Sequence, residues 1–204
     1  MNQKKNSLPA AILATLLLAV VVLPARATTF ARLQLDEMAH LATKIVQARA
    51  VESHSEWNTD RTSIYTYTTF EVLDSLKGLT PGQRIVVKQF GGKVGHLIMK
   101  VHGEPFFQPG DETILFLYDD AVEPSTTRIV GMAQGNYRIV RDGATQERIV
   151  VSTTEGASVF DPRTRSFSLP AERLHLEEFK QKVRELLGGE PGVPERTPDE
   201  RSEK

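Results

Sequence analysis

The chain predicts an all-β domain with flanking helices: an OB-like antiparallel β-barrel with an extra hairpin, one N-terminal helix and one C-terminal helix. Three observations lead there. Short runs of β-branched and aromatic residues follow one another from Ile45 to Ser152, separated by Gly, Pro, Asn and Asp. Only two stretches carry a helical period, and they stand at the two ends of that region. Strands never alternate with helices, so six to eight strands joined by turns fit a barrel or sandwich better than an α/β sheet.

Residues 1–27 read as an export signal. Lys4 and Lys5 precede the apolar run Leu8–Leu23, and Pro24 leads to Ala25-Arg26-Ala27, an A-x-A cleavage site. That run is shorter than the ~20 residues a spanning helix needs, so no stable membrane insertion is expected after cleavage. Cleavage leaves Thr28 at the mature N-terminus, and the protein is expected to act in the periplasm or outside the cell. A single domain then covers 28–187, and the Pro- and Glu-rich segment 188–204 is expected to be a disordered tail.

The first helix is predicted from Leu35 to Thr43, with Leu35, Met38 and Ile45 in phase and Asp36-Glu37 in the first turn. Ile45–Ser53 turns to strand chemistry, with Val46, Ala48 and Ala50 alternating imperfectly. His54–Asp60 is polar and reads as a hairpin loop that holds Trp57, the only tryptophan. Arg61–Gly78 is the longest strand-like run. Ile64, Thr66, Thr68, Phe70 and Val72 share one face, and Tyr65 and Tyr67 lie on a second that is also partly covered.

After the Leu79–Gly82 turn, strands are expected over Gln83–Phe90, His96–Val101 and Asp111–Tyr118. The run Ile114–Leu117 is apolar enough to be buried on both faces. Arg128–Met132 and Asn136–Arg141 follow, broken by Ala133-Gln134-Gly135, and Arg148–Ser152 closes a hairpin over Asp142-Gly143. Thr153–Phe167 reads as loop. Leu174–Leu187 is the clearest helix, with Leu176, Phe179, Val183 and Leu186 on one stripe and Leu174 and Phe179 placed as a hydrophobic staple. Leu33 and Met38 stand in the same relation to the first helix.

Two segments carry a family resemblance. Glu71-Val72-Leu73-x-Ser75-Leu76-Lys77-Gly78 is similar to the E-V-L-K-G segment of netrin-like domains, the OB-type barrels also found in tissue inhibitors of metalloproteinases. Phe107-x-Pro109-Gly110-Asp111-Glu112-x-Ile114-Leu115-Phe116-Leu117 resembles the F-x-x-G-E-x-Y-L-L-F strand of that group. The resemblance spans Ile45–Tyr118, and the disulfide cysteines of that group are absent here. Gly131–Val140 is similar to a segment of exported bacterial proteins. The resemblance implies a barrel used for binding. It also implies an alternative role, inhibition of a metalloprotease by the mature N-terminus, with the Thr28 amine as zinc ligand.

Composition narrows the function. Of 25 basic residues, three lie in the leader, leaving 22 against 26 acidic ones, a balance of −4. A nucleic-acid partner calls for a basic stripe that this chain lacks. With no cysteine, neither disulfides nor a thiolate metal site can form. His96 and His102 fall on one face of a predicted strand but roughly 20 Å apart, too far to share an ion. His40 and His175 sit on predicted helices without a metal-binding partner at i+4, although His175 and Glu178 could face one surface ion.

No G-x-S-x-G elbow is present, Asp119-Asp120 reads as a solvated loop, and Gly91-Gly92-x-x-Gly95 and Gly131–Gly135 read as turn glycines. No cofactor or metal is expected. The expected function is a non-catalytic binding module for an unidentified protein or ligand, with a hydrolase of unrecognised site as a further alternative. The candidate ligand contacts are Trp57, Asn58 and Arg61 in the loop before the long strand, extended by Tyr65 and Tyr67.

Overall fold

A computed structural model describes residues 30–152, 159–161, 166–168 and 173–188. Its centre is a closed five-stranded barrel. Strand β1 is Phe30–Ala31 and helix α1 Leu35–Leu41, followed by β2 (Lys44–Trp57), β3 (Ile64–Lys77) and β4 (Arg84–Phe90). A small hairpin, β5 (Gly92–Val94) and β6 (Leu97–Met99), precedes β7 (Glu112–Asp119) and β8 (Thr127–Ile129). Strands β2, β3 and β4 form an antiparallel meander. Strand β8 pairs in parallel with β4 and antiparallel with β7, and β7 returns to β2 to close the barrel. This is OB connectivity, in which the third and fifth barrel strands run parallel.

A 3-10 turn at Met132–Gly135 carries the chain from β8 into β9 (Asn136–Arg141), and β10 (Arg148–Ser152) follows. Strand β9 lies along the remaining length of β7, so the sheet continues outward from the barrel through β9 and β10 to β13 (Arg173–His175). Helix α2 spans Leu176–Gly188. Strands β11 (Val159–Asp161) and β12 (Ser166–Ser168) join β1 in a separate three-stranded sheet. The loop expected over Thr153–Phe167 is corrected there. Backbone pairing with β1 supplies what the side-chain pattern did not announce.

Two hydrophobic cores share β7. Leu115 and Leu117 point into the barrel with Val46, Ala48, Phe70, Val72 and Val87. Ile114 and Phe116 point outward, where α1 and α2 cover them with Met38, Phe179 and Val183. The strand is therefore buried on both faces, as its continuous apolar run indicates. Both helices begin alike. Leu33 and Leu174 each pack onto the outer core that holds Met38 and Phe179, the apolar partners four helical positions on. At α1 the Glu37 carboxylate accepts a bond from the Gln34 N–H at 2.6 Å, an otherwise orphan donor.

Several boundaries differ from expectation. Helix α1 ends at Leu41, and β2 begins at Lys44. The second helix begins at Leu176 because Leu174 and His175 are drawn into β13 beside β10, so His175 is a strand residue facing Glu147 at 3.4 Å. Strand β2 does not stop at Ser53 but continues to Trp57. The cause is a bulge at Val51, where Ala50 pairs with Phe70 while Glu52 pairs with Thr69. One extra residue reverses the parity of the strand. Val46, Ala48 and Ala50 face inward before it, and Ser53 and Ser55 face inward after it, against Thr68 and Thr66 at 3.1 and 2.9 Å.

An ion pair holds α2 to the barrel. The Lys180 side chain is only 7% exposed and meets Asp74 of β3 at 2.9 Å and Glu177 at 3.2 Å. The Lys180 hydrogen bond and charge hold the Asp74 carboxyl below the usual carboxylate range. A folded-state pKa below the unfolded value contributes stability that is complete above the unfolded pKa, about 3.9 for aspartate, and is lost as pH falls through the folded value. Asp74→Asn is expected to cost about 1–2 kcal/mol at pH 7, reduced from a fully buried pair because Asp74 reaches solvent and Glu177 remains. Thermal melts should show the wild-type advantage narrowing below about pH 4. An advantage that widens there would contradict the assignment.

Candidate functional site

The parity change at Val51 gives one end of the barrel a polar lining. Ser53, Ser55, Thr66 and Thr68 pair across β2 and β3, and Gln89 of β4 completes the ring. The Gln89 amide donates to the Pro105 carbonyl, and the Thr66 hydroxyl donates to Gly91 O at 2.7 Å. These groups therefore satisfy one another, as the burial of Thr68 and Gln89 requires.

Over this ring folds the segment from Gly91 to Pro109. Gly92 lies against the Ser55 and Thr66 side chains, which seats the β5–β6 hairpin beside β2 and β3. Phe107 turns inward and meets Phe70 edge-on, with ring centroids 4.9 Å apart. Between hairpin, loop and barrel end runs a groove of about 710 Å³. Its walls are mostly apolar and include Phe90, Ile98, Val101, Phe106 and Phe107, with Lys93, Lys100, His54 and His102 among the polar groups. Phe106 is 77% exposed and Ile98 61%, so the groove presents aliphatic and aromatic surface to solvent.

Glu104 is the only carboxylate among the lining residues. Burial pushes its carboxyl up, opposed by the Phe90 N–H, which donates to it at 3.4 Å, and by the Arg128 charge. His96 and His102, expected on one strand, lie outside β6 in the turns flanking it. Segment β6 is only three residues long because the hairpin pairs with no third strand. Among the described residues no group of three or more His, Asp or Glu side chains is placed to hold a metal ion.

The sequence candidates fall beside this groove and are largely occupied with one another. Trp57 is the last residue of β2, paired with Ile64 and half-buried, so it is a strand residue and not part of the loop. Asn58 organises that loop. Its side-chain oxygen accepts from the Thr62 and Ser63 N–H groups at 2.8 and 3.0 Å, and its amide donates to Thr62 Oγ1. Arg61 is exposed at the loop tip with φ of 53°.

Tyr65 and Tyr67 form a platform on the outer face of β3, but cations already lie on it. Lys88 sits 4.5 Å from the Tyr65 ring centre, and the Arg128 guanidinium sits 5.8 Å from it. Tyr67 stacks on His54 at 5.4 Å and donates to Glu123, which also pairs with Lys88 at 2.7 Å. Thr28 lies outside the described residues.

The remaining polar candidates serve structure. Asp119 pairs with Lys44, and Asp120 with Arg128 at 2.7 Å while it also accepts from the Val122 N–H. What sequence reading missed is the groove, although its signal was present. Leu97, Ile98 and Phe106 are large apolar residues in a segment rich in Gly, Pro and His, and the structure leaves all three exposed. No protein-family model matches the chain and no curated protein gives a significant match, so the chemistry of the site rests on its own residues.

Proposed function

We propose that this protein is an exported, non-catalytic binding module that takes its ligand in the groove between the β5–β6 hairpin and the barrel end. The observation that carries this reading is the groove itself, about 710 Å³ with mostly apolar walls. That volume lies within the range of about 300–1,000 Å³ typical of small-ligand sites. Exposed aromatic and aliphatic surface beside mutually satisfied polar groups marks a place for a partner. OB-type barrels use this end and the adjoining strand face for ligands, which is an analogy of fold. The leader, with its A-x-A site, supports export. The Ser–Thr pairs and Gln89 bond to one another and to the backbone, which favours a binding role over a catalytic one.

An environment-sensitive apolar dye such as anilinonaphthalene sulfonate tests the groove. The wild-type protein is expected to enhance its fluorescence, and Phe106→Asp or Ile98→Asp to reduce that enhancement several-fold. Both positions are exposed, so far-UV circular dichroism should not change. Equal enhancement by wild type and both variants would remove the groove as the site.

A further inference from the structure

The segment Gly91–Gly103 contains Lys93, His96, Lys100 and His102 and not one carboxylate, in a chain of net charge −1. Several cations elsewhere on the molecule face carboxylates: Lys44 meets Asp119, Arg49 and Arg148 meet Glu112, and Lys88 meets Glu123. Lys93 and Lys100 are exposed and have no ion pair among the described residues. Between them, next to the turn at Gly95-His96, stand Leu97 and Ile98, 60% and 61% exposed. Phe106, which lines the same groove as Ile98, adds a third apolar side chain.

Leu97 and Ile98 stand beside the turn at the tip of a hairpin whose strands are three residues long, paired with Val94 and Lys93. A protein partner would have to supply a matching cleft, whereas a fluid lipid surface closes around such a tip unaided. Flanking cations with no internal partner complement anionic headgroups, and the apolar pair complements the acyl boundary beneath them. From this juxtaposition, and resting on the groove region being a binding surface, we infer that the β5–β6 hairpin docks onto anionic lipid bilayers. Leu97 and Ile98 enter the interface, and Lys93 and Lys100 meet the headgroups. This is peripheral attachment by side chains, distinct from a spanning segment.

Sedimentation with vesicles decides the matter. The full protein, as its cell produces it, is mixed with phosphatidylcholine vesicles or with vesicles containing phosphatidylglycerol. Wild type is expected to bind the anionic vesicles in strong preference to the neutral ones. Lys93→Glu with Lys100→Glu should weaken anionic binding by about thirtyfold or more, from roughly a factor of five per lysine. Leu97→Ser with Ile98→Ser should weaken it by about a hundredfold.

A second measurement reports insertion. Trp57 is the only tryptophan, so Trp57→Phe combined with Leu97→Trp moves the sole indole to the tip, where anionic vesicles should shift its emission to the blue. Equal binding to both vesicle types, or anionic binding untouched by both double substitutions, overturns the inference. So does retention by a soluble protein partner in place of vesicles. If the dye occupies the groove while vesicles are ignored, the lipid inference alone fails. If dye binding also fails, the groove reading falls with it.

Discussion

Phe70→Ala is expected to lower the unfolding free energy by about 4 kcal/mol, the middle of the range for removing a buried phenylalanine. Phe70 is fully buried inside the barrel, where it packs with Val46, Val72 and Val87. Its ring also supports Phe107, which closes the barrel end beneath the groove. Strands β2 and β3 are hydrogen-bonded along their length, so the wall cannot move inward to fill the space, and the cavity term persists. Urea titration should show a lower midpoint with an unchanged slope. The same variant should also lose dye binding at the groove under native conditions. A change below about 1 kcal/mol would mean that the barrel interior can relax around the loss, contrary to this packing.

The second large effect is expected at Gly78, the last residue of the E-V-L-x-S-L-K-G segment. Its φ is +79°, and a Cβ there would lie 2.5 Å from the Thr43 carbonyl oxygen, a backbone atom just before β2. Gly78→Ala therefore combines an unfavourable backbone conformation with a clash against an atom that cannot rotate away. Together these should cost about 3 kcal/mol. Gly82, with φ of +87° and open space around it, provides the control. Gly82→Ala carries only the conformational part, about 1 kcal/mol. Chemical denaturation of the two variants side by side isolates the close approach, and equal losses would show that it contributes nothing.

The same segment shows how far the sequence could be read. Continuous β-branched chemistry made β3 legible, and Asp142-Gly143 placed β9 and β10 with the bounds that the structure has. The double-sided burial of β7 was legible from four consecutive apolar residues. The length of β2 was not, because two of its inward-facing residues beyond the bulge are serines that pair with threonines on another strand. Hydrophobic alternation carries no trace of such a pairing. The helical pattern extends over Leu174 and His175 because Leu174 suits either period, and only the neighbouring β10 edge decides between them.

The candidate site was legible in its neighbourhood only. Trp57, Tyr65 and Tyr67 stand near the barrel end that carries the groove. What could not be read was that Lys88 and Arg128, 21 or more residues away in sequence from Tyr67, would already cover the two tyrosines. Nor could a linear pattern reveal that Gly91–Pro109 folds back over β2. Tertiary contact assigns both roles, leaving the apolar hairpin as the surface still without a partner.

The bulge at Val51 divides one fourteen-residue strand into two territories under different selection. Up to Ala50, every inward position answers to a shared oily interior, and a change of one methylene is felt by its neighbours. At Ser53 and Ser55, beyond the bulge, the inward side chains meet threonine hydroxyls across the ladder. A substitution at the Ser55–Thr66 pair is felt above it, by the Gly91-Gly92 backbone that rests on Ser55 and Thr66, and not by the apolar packing below. The barrel thus carries an adjustable end on an invariant stem, and new ligand preferences can arise at the one without renegotiating the fold of the other.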